Sequence, residues 1–183
     1  DLQIGASADD CLVRVASTST APHTFTTFDP LTAVSFLAGE GGERYGAGAR
    51  FLNVTIAQGS TINVDYMTLQ AYFGTQSGTV MRTDIYGEDA DDAATYSTLA
   101  DYNGRAKTAA VVWDSIGTWV AEDIVNTPSL VTPLQTIVNR AGFASGNDVG
   151  FKWEDGDSST SAFRRAYSYD NNTTKAAKLH TEY

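Results

Sequence analysis

The run YGEDADDAATY, residues 86–96, sets four carboxylates into five positions: Glu88, Asp89, Asp91 and Asp92. Acids this close suit three kinds of chemistry. Glycoside hydrolysis needs two carboxyl groups about 5–9.5 Å apart, one of them kept protonated by an apolar wall. Gly87, Ala90 and Ala93 supply no such wall, so catalysis is not expected here. Calcium takes about six to eight oxygens, often from closely spaced acids. These four have the right donor type without the spacing of an EF-hand loop, and they stand as candidate calcium ligands. The third option, a hydrated acidic turn with water at every carboxylate, is the reading the sequence favours.

Two further acid groups are candidate ion sites: Glu154, Asp155 and Asp157 in WEDGDSSTS, and Asp9-Asp10, which would meet Asp170 if the first and last strands are neighbours. Tyr167, Tyr169 and Tyr183 on the last strands form a candidate sugar platform, since aromatic faces stack on sugar C–H surfaces. Trp113, Trp119 and Trp153 lie elsewhere, and VVWDSIGTW reads as a strand and loop packed on the core. No nucleophile constellation is expected. GFASG places Ser145 one residue late for a G-x-S-x-G elbow, and His23 and His180 are far apart in sequence. Cys11 is the only cysteine, so no intrachain disulfide forms. It reads as a small buried residue on the first strand, or as a disulfide partner for a neighbouring subunit.

These residues need strands to hold them. CLVRVAS alternates Cys11, Val13 and Val15 against Leu12 and Arg14, the period of a half-buried strand. STSTAPHTFTTFDPLT, residues 17–32, reads as an irregular loop. The glycine-dense AGEGGERYGAGAR, residues 38–50, reads as a tightly turning loop, not a phosphate cradle, because it neither follows a strand nor opens a helix. ARFLNVTI, TINVDYMTLQAYF, TVMRTDIYGE, KTAAVVWD and DVGFKWED follow as strands, with Met67, Leu69, Ala71 and Phe73 expected on one face. FRRAYSYD and AAKLHTEY are expected as a hairpin or adjacent pair. One short helix, residues 133–141, breaks the pattern. Thr132 is its expected cap, Pro133 its first residue, Gln135 the partner in a capping box and Gly142 its end.

A chain of 183 residues with 42% apolar and 19% charged residues is one folded domain rather than a disordered segment. The fold class expected is an all-β jelly-roll sandwich with one short α-helix. The formal charge of −10 and the lack of a basic patch argue against nucleic acid as a partner. No run approaches the ~20 apolar residues that span a bilayer, so membrane insertion is not expected.

RFLNVTIAQGSTINVDYMTLQAY, TDIYGEDADDAATY, LVTPLQTIVNRAGFASGNDVGFKWED and FRRAYSYDNNTTKAAKLHTEY together resemble extracellular jelly-roll modules. The similar modules are the DNRLRE, or disaggregatase-related, repeats and neighbouring carbohydrate-binding modules, with the nearest likeness to phage-like and bacterial surface proteins. The resemblance covers residues 45–183, and residues 1–44 are expected as an N-terminal strand and irregular loop. It implies a non-catalytic module, extracellular or on a virion surface. The leading expectation is a structural protein that self-associates or docks on other structural proteins, such as a capsid decoration or tail component. The alternative is a carbohydrate-binding module that takes glycans.

Overall fold

The computed structural model describes residues 1–29, 35–78 and 80–183. The chain is mostly β. Its strands are β1 (Leu2–Gln3), β2 (Asp10–Ala16), β3 (Thr27–Asp29), β4 (Phe36–Glu40), β5 (Glu43–Val54), β6 (Val64–Gln70), β7 (Thr75–Gln76) and β8 (Arg82–Gly87). Helix α1 (Leu99–Gly104) precedes β9 (Val111–Asp114), β10 (Trp119–Val120) and β11 (Ile124–Asn126). Helix α2 (Val131–Val138), β12 (Asn147–Asp155), β13 (Phe163–Ala166) and β14 (Lys178–Glu182) complete the chain.

The small sheet runs β1-β14-β6-β11 and the large one β13-β4-β5-β12-β8-β9, with β2 paired to β3 and β5. One core joins the inward residues of both. Met67, Leu69 and Leu179 come from the small sheet, and Ala47, Phe51, Phe151 and Trp153 from the large one. Trp113, Trp119 and Trp153 lie within 5.3–6.1 Å of one another in or against it, so none of the three is a surface platform. A second, smaller core of Cys11, Val13, Val15, Phe25, Tyr96 and Tyr102 covers the other face of the large sheet. Cys11 is buried there, as its strand pattern predicts.

Several expectations are corrected. Among the described residues two α-helices form rather than one. The glycine-dense run is not a loop but a hairpin of β4 and β5, turning at Gly41-Gly42. Gly46 and Gly48 lie on β5 because rings press directly on the backbone: a Cβ on Gly48 would stand 2.6 Å from Tyr96 Cζ, and one on Gly46 2.8 Å from Phe25 Cζ. Helix α2 starts at Val131 with Leu130 as an uncapped N-cap. Gln135 forms no capping box, since its amide bridges Ser60 O and Ile62 N across to another segment. Pro133 still falls in the first turn, where N–H groups have no intrahelical partner. The helix ends at Val138 with Asn139 as its C-cap, and Gly142 instead makes room for the Asp91 carboxylate, which would collide with a Cβ at that position. β13 and β14 are not a hairpin. β13 pairs with β4 in the large sheet, and β14 with β1 and β6 in the small one. Residues 30–32 of the expected loop and residue 79 of an expected strand lie outside the described residues.

Candidate functional site

At its far end β6 leaves the small sheet and meets β13. Ala71 bridges Ala166, Tyr167 N donates to Gln70 O and Tyr72 N to Arg165 O. Strand alternation then sorts the side chains. Ala71 and Ala166 are fully buried, so Gln70, Tyr72, Arg165 and Tyr167 share the outer face. Phe163 continues that row two residues before Arg165. Thr68 and its partner Lys178, and Tyr66 stacked on His180 at 4.8 Å, continue it the other way.

The strip is built tightly. Tyr72 and Tyr167 meet edge to face at 5.1 Å. Glu122 accepts from Tyr167 Oη at 2.6 Å, Gln70 Nε2 at 2.8 Å and Lys175 Nζ at 2.7 Å. Its carboxyl is held below the usual range, first by Lys175 and then by Tyr167. Lys175 also lies over the Tyr167 ring at 4.8 Å. Beneath the strip buried Gln76 donates to Tyr72 O and Arg165 O and accepts from Arg165 N, locking the two strands together. Phe73 does not join the core face of β6 as expected. It turns out at φ 67°, with 69% of its surface exposed. A bulky residue in the left-handed region is uncommon and costs on the order of 1–3 kcal/mol, and here the ring also gains no burial.

The three expected platform tyrosines are not together. Tyr167 is in the strip. Tyr169 is half-buried against the core. Tyr183 lines a separate cavity of about 340 Å³ with Asp1, Leu2, Thr55 and Thr181. Sequence reasoning missed Tyr72, Phe73, Glu122 and Arg165, although alternation in FRRAY already places Phe163, Arg165 and Tyr167 on one face.

The acidic run is not a freely hydrated turn. Glu88 is buried and pairs with Arg105 at 2.8 Å. Burial pushes its carboxyl up, and Arg105 opposes that shift. Arg140, just past α2, pairs with Asp89 and Asp91, and Asp92 accepts from Asp148 N at 2.7 Å. The four carboxylates therefore fasten α1 and the end of α2 to the β8 and β12 ends.

The second acid group splits. Glu154 takes Lys107 Nζ at 2.6 Å and Tyr102 Oη at 3.1 Å. Asp155 and Asp157 converge instead on His23, their donor atoms within 4.8 Å of one another. That set has the chemistry of a divalent-cation site. Arg44 already stands 2.6 Å from Asp155 Oδ2 and 3.8 Å from Asp157, however, and Ser158 N and Asp157 N also donate to Asp155. With its carboxylate oxygens occupied, the group acts as a clasp between residues 19–23 and the end of β12. The same clasp corrects the expectation that no nucleophile constellation exists. Ser19 Oγ lies 3.1 Å from His23 Nδ1, and His23 Nε2 lies 3.2 Å from Asp155 Oδ2. The connectivity is that of a hydroxyl, a base and an orienting carboxylate.

Asp10 does meet the last loop, as expected. It accepts from Tyr169 N at 2.7 Å and feels the Asp170 charge. Burial, the largest cause, raises its carboxyl to about 7, while Asp9 instead pairs with Arg50 at 2.6 Å.

No protein-family model and no curated protein matches the chain. Among the described residues no helix is long and apolar enough to cross a membrane.

Proposed function

We propose that the chain is a non-catalytic jelly-roll β-sandwich module, displayed outside a cell or on a virion, that binds saccharide on the outer strip where the end of β6 meets the end of β13. The observation that carries this reading is the Tyr72–Tyr167 pair, set beside Gln70, Glu122 and Lys175 on one open face. Aromatic rings lie against sugar C–H faces, while amide, carboxylate and ammonium groups take the hydroxyls. The two sheets sharing one core support the sandwich, and the segments similar to DNRLRE-type modules agree with it. In an oligosaccharide array at least one saccharide should bind. Tyr72→Ala and Tyr167→Ala should each weaken that binding about tenfold, one hydrogen bond or stacking contact's worth, without loss of folding by circular dichroism. An array with no saccharide above background sinks the reading.

Non-catalysis has its own test at Ser19. The His23 side chain is wholly buried and the Asp155 carboxylate is held by Arg44 and Ser158, which suits a clasp better than a turning-over base. A fluorophosphonate probe should leave Ser19 unlabelled. Labelling that disappears in His23→Ala would make the protein a hydrolase.

A second reading is favoured by apolar side chains on edge strands. Val112 on β9 is 61% exposed and Ile124 on β11 is 70% exposed, and both strands end their sheets. Edge strands with exposed apolar residues invite pairing. They fit a structural module that self-associates or docks in a particle, such as a capsid decoration or tail component. Light scattering should then show multimers that Val112→Lys or Ile124→Lys disperses, whereas a strict monomer that binds saccharide would leave the first reading alone.

A further inference from the structure

Arg164 and Arg165 are neighbours with opposite surroundings. Arg164 is buried and donates to the carbonyls of Ile116, Gly117 and Phe163. Arg165 faces out, and among the described residues no carboxylate lies within ion-pair distance of it. Its Nε has no hydrogen-bond partner there. The guanidinium lies 5.6 Å from the Phe163 ring centroid. With Phe73, Thr75, Gln76 and Phe163 it lines a cavity of about 170 Å³ at the end of the tyrosine strip. At the strip's other flank Lys175 and Lys178 line a smaller cavity with Thr68 and Gln70. Glu122, the acid beside the tyrosine pair, is held by Lys175, Tyr167 and Gln70.

In a chain of net charge −10, Arg14, Arg44, Arg50, Arg105 and Arg140 all have carboxylates at 3.7 Å or closer. Among the described residues Arg82, Arg164 and Arg165 have none; Arg82 lies open to solvent, Arg164 is bonded to carbonyls, and Arg165 is set in a cavity beside aromatic rings. A guanidinium beside aromatic rings is suited to one planar anion, a carboxylate, which it can take through two parallel N–H···O bonds. The ring walls would exclude water and strengthen that contact. The cavity is too small for a whole oligosaccharide but accommodates the acidic group of one residue in a chain lying along the tyrosines.

We propose that the Arg165 cavity is a carboxylate subsite and that the ligand is an acidic saccharide, a uronic or sialic acid-bearing glycan. This rests on the saccharide reading and narrows it to one chemical class.

The test pairs each acidic glycan with its neutral counterpart: oligogalacturonate with its methyl ester, a hyaluronan oligosaccharide with its carboxyl-reduced form, and sialyllactose with lactose. In calorimetry at least one acidic member should bind about tenfold or more tightly than its neutral twin, the size of one charge-assisted contact. Added salt should narrow the gap. Arg165→Gln should close it, with Arg165→Lys keeping part of it because charge remains while the fork is lost. Circular dichroism confirms that both variants fold. Acidic and neutral twins that bind equally, with Arg165→Gln silent, overturn this proposal and leave the saccharide reading standing. Absence of binding to every member overturns this proposal, and the broader array then decides the saccharide reading. Oligoglutamate that binds as tightly as any acidic glycan overturns it too, by showing that the subsite reads peptide carboxylates.

Discussion

Arg105 and Arg165 present the same guanidinium to very different surroundings. Arg105 reaches Glu88 and Asp101, donates to the carbonyls of Ala94 and Thr95, and lies over the Tyr96 ring at 4.2 Å. Folding uses all of it. Arg165 is bonded through its backbone to Gln76 and Tyr72, but its side chain has a ring contact to Phe163 and, among the described residues, meets nothing acidic. The acid-rich 86–96 region looks like a site in the sequence because charge is concentrated there, yet its charge is matched internally. The outer strip looks ordinary in the sequence and is where the Arg165 guanidinium remains without an acid. Density of chemistry-bearing residues is thus a poor guide to a site, and unmatched chemistry is a better one.

The sharpest way to break this contrast is to truncate both arginines. Arg105→Ala leaves the Glu88 carboxylate buried without its cation, which should cost about 3 kcal/mol or more and lower the urea midpoint accordingly. Arg165→Ala should stay within about 1 kcal/mol of the parent. Equal losses at the two positions would mean that Arg165 is structural and would remove the basis for the strip as a binding face.

Asp10 and Asp65 are exceptions within the internally matched part. Each is buried and has one carboxylate oxygen without a partner, Oδ1 of Asp10 and Oδ2 of Asp65. Burial is the first cause that raises both carboxyls from 3.8 to about 7. The sign follows from the raised folded value. Both are protonated in the folded chain and ionised in the unfolded chain between about pH 4 and 7. Their stabilisation is full below the unfolded pKa and is lost as pH rises through the folded one. Urea unfolding should therefore show stability falling from pH 5 to pH 7.5, by on the order of 1 kcal/mol per pH unit for each group at most. Asp10→Asn and Asp65→Asn should each flatten that slope. Stability that rises over this range would show that both acids are ionised and matched in the fold.

Much of the β framework was legible because period-two alternation survives wherever one face is buried. Cys11, Val13 and Val15, Met67 and Leu69, and Val149, Phe151 and Trp153 all lie inward as their spacing predicts. The glycine run was misread because Gly46 and Gly48 look like turn residues until Phe25 and Tyr96, distant in sequence, press on them. Helix α1 was missed because ADYNG carries no helical apolar stripe. Only Tyr102 in it is buried, and Thr98 caps it locally by accepting from Asp101 N. Of the site, Tyr167 was legible as an aromatic on the last strands, a candidate for stacking on sugar. Tyr72 and Arg165 were not, because the bridge that sets them side by side joins segments nearly a hundred positions apart. The ion pairing of the acidic run was hidden for the same reason: Arg105 and Arg140 reach it from just past the ends of two separate helices.

The smallest effect is expected where the sequence first drew attention. Asp89 and Asp91 face Arg140, and the three side chains remain partly open to water. Calcium would have to displace a guanidinium that is already hydrogen-bonded to both acids, while recruiting further oxygens to reach about six to eight ligands. A cation bound only by the folded chain would raise its stability by about 2.7 kcal/mol at a hundredfold excess over Kd. Arg140 removes much of the carboxylate repulsion that would drive such binding, so the melting temperature should be the same in calcium and in chelator. Replacing both acids, Asp89→Asn with Asp91→Asn, should lower it only slightly, since exposed ion pairs are screened by salt and contribute little. Arg140→Ala sharpens the test by uncovering the two carboxylates. If calcium stabilises that variant and not the parent, the acids can bind the ion and the arginine stands in for it. If calcium already stabilises the parent and the double asparagine variant loses the effect, the 86–96 run is a calcium site, and the contrast between an internally matched region and an open one no longer holds.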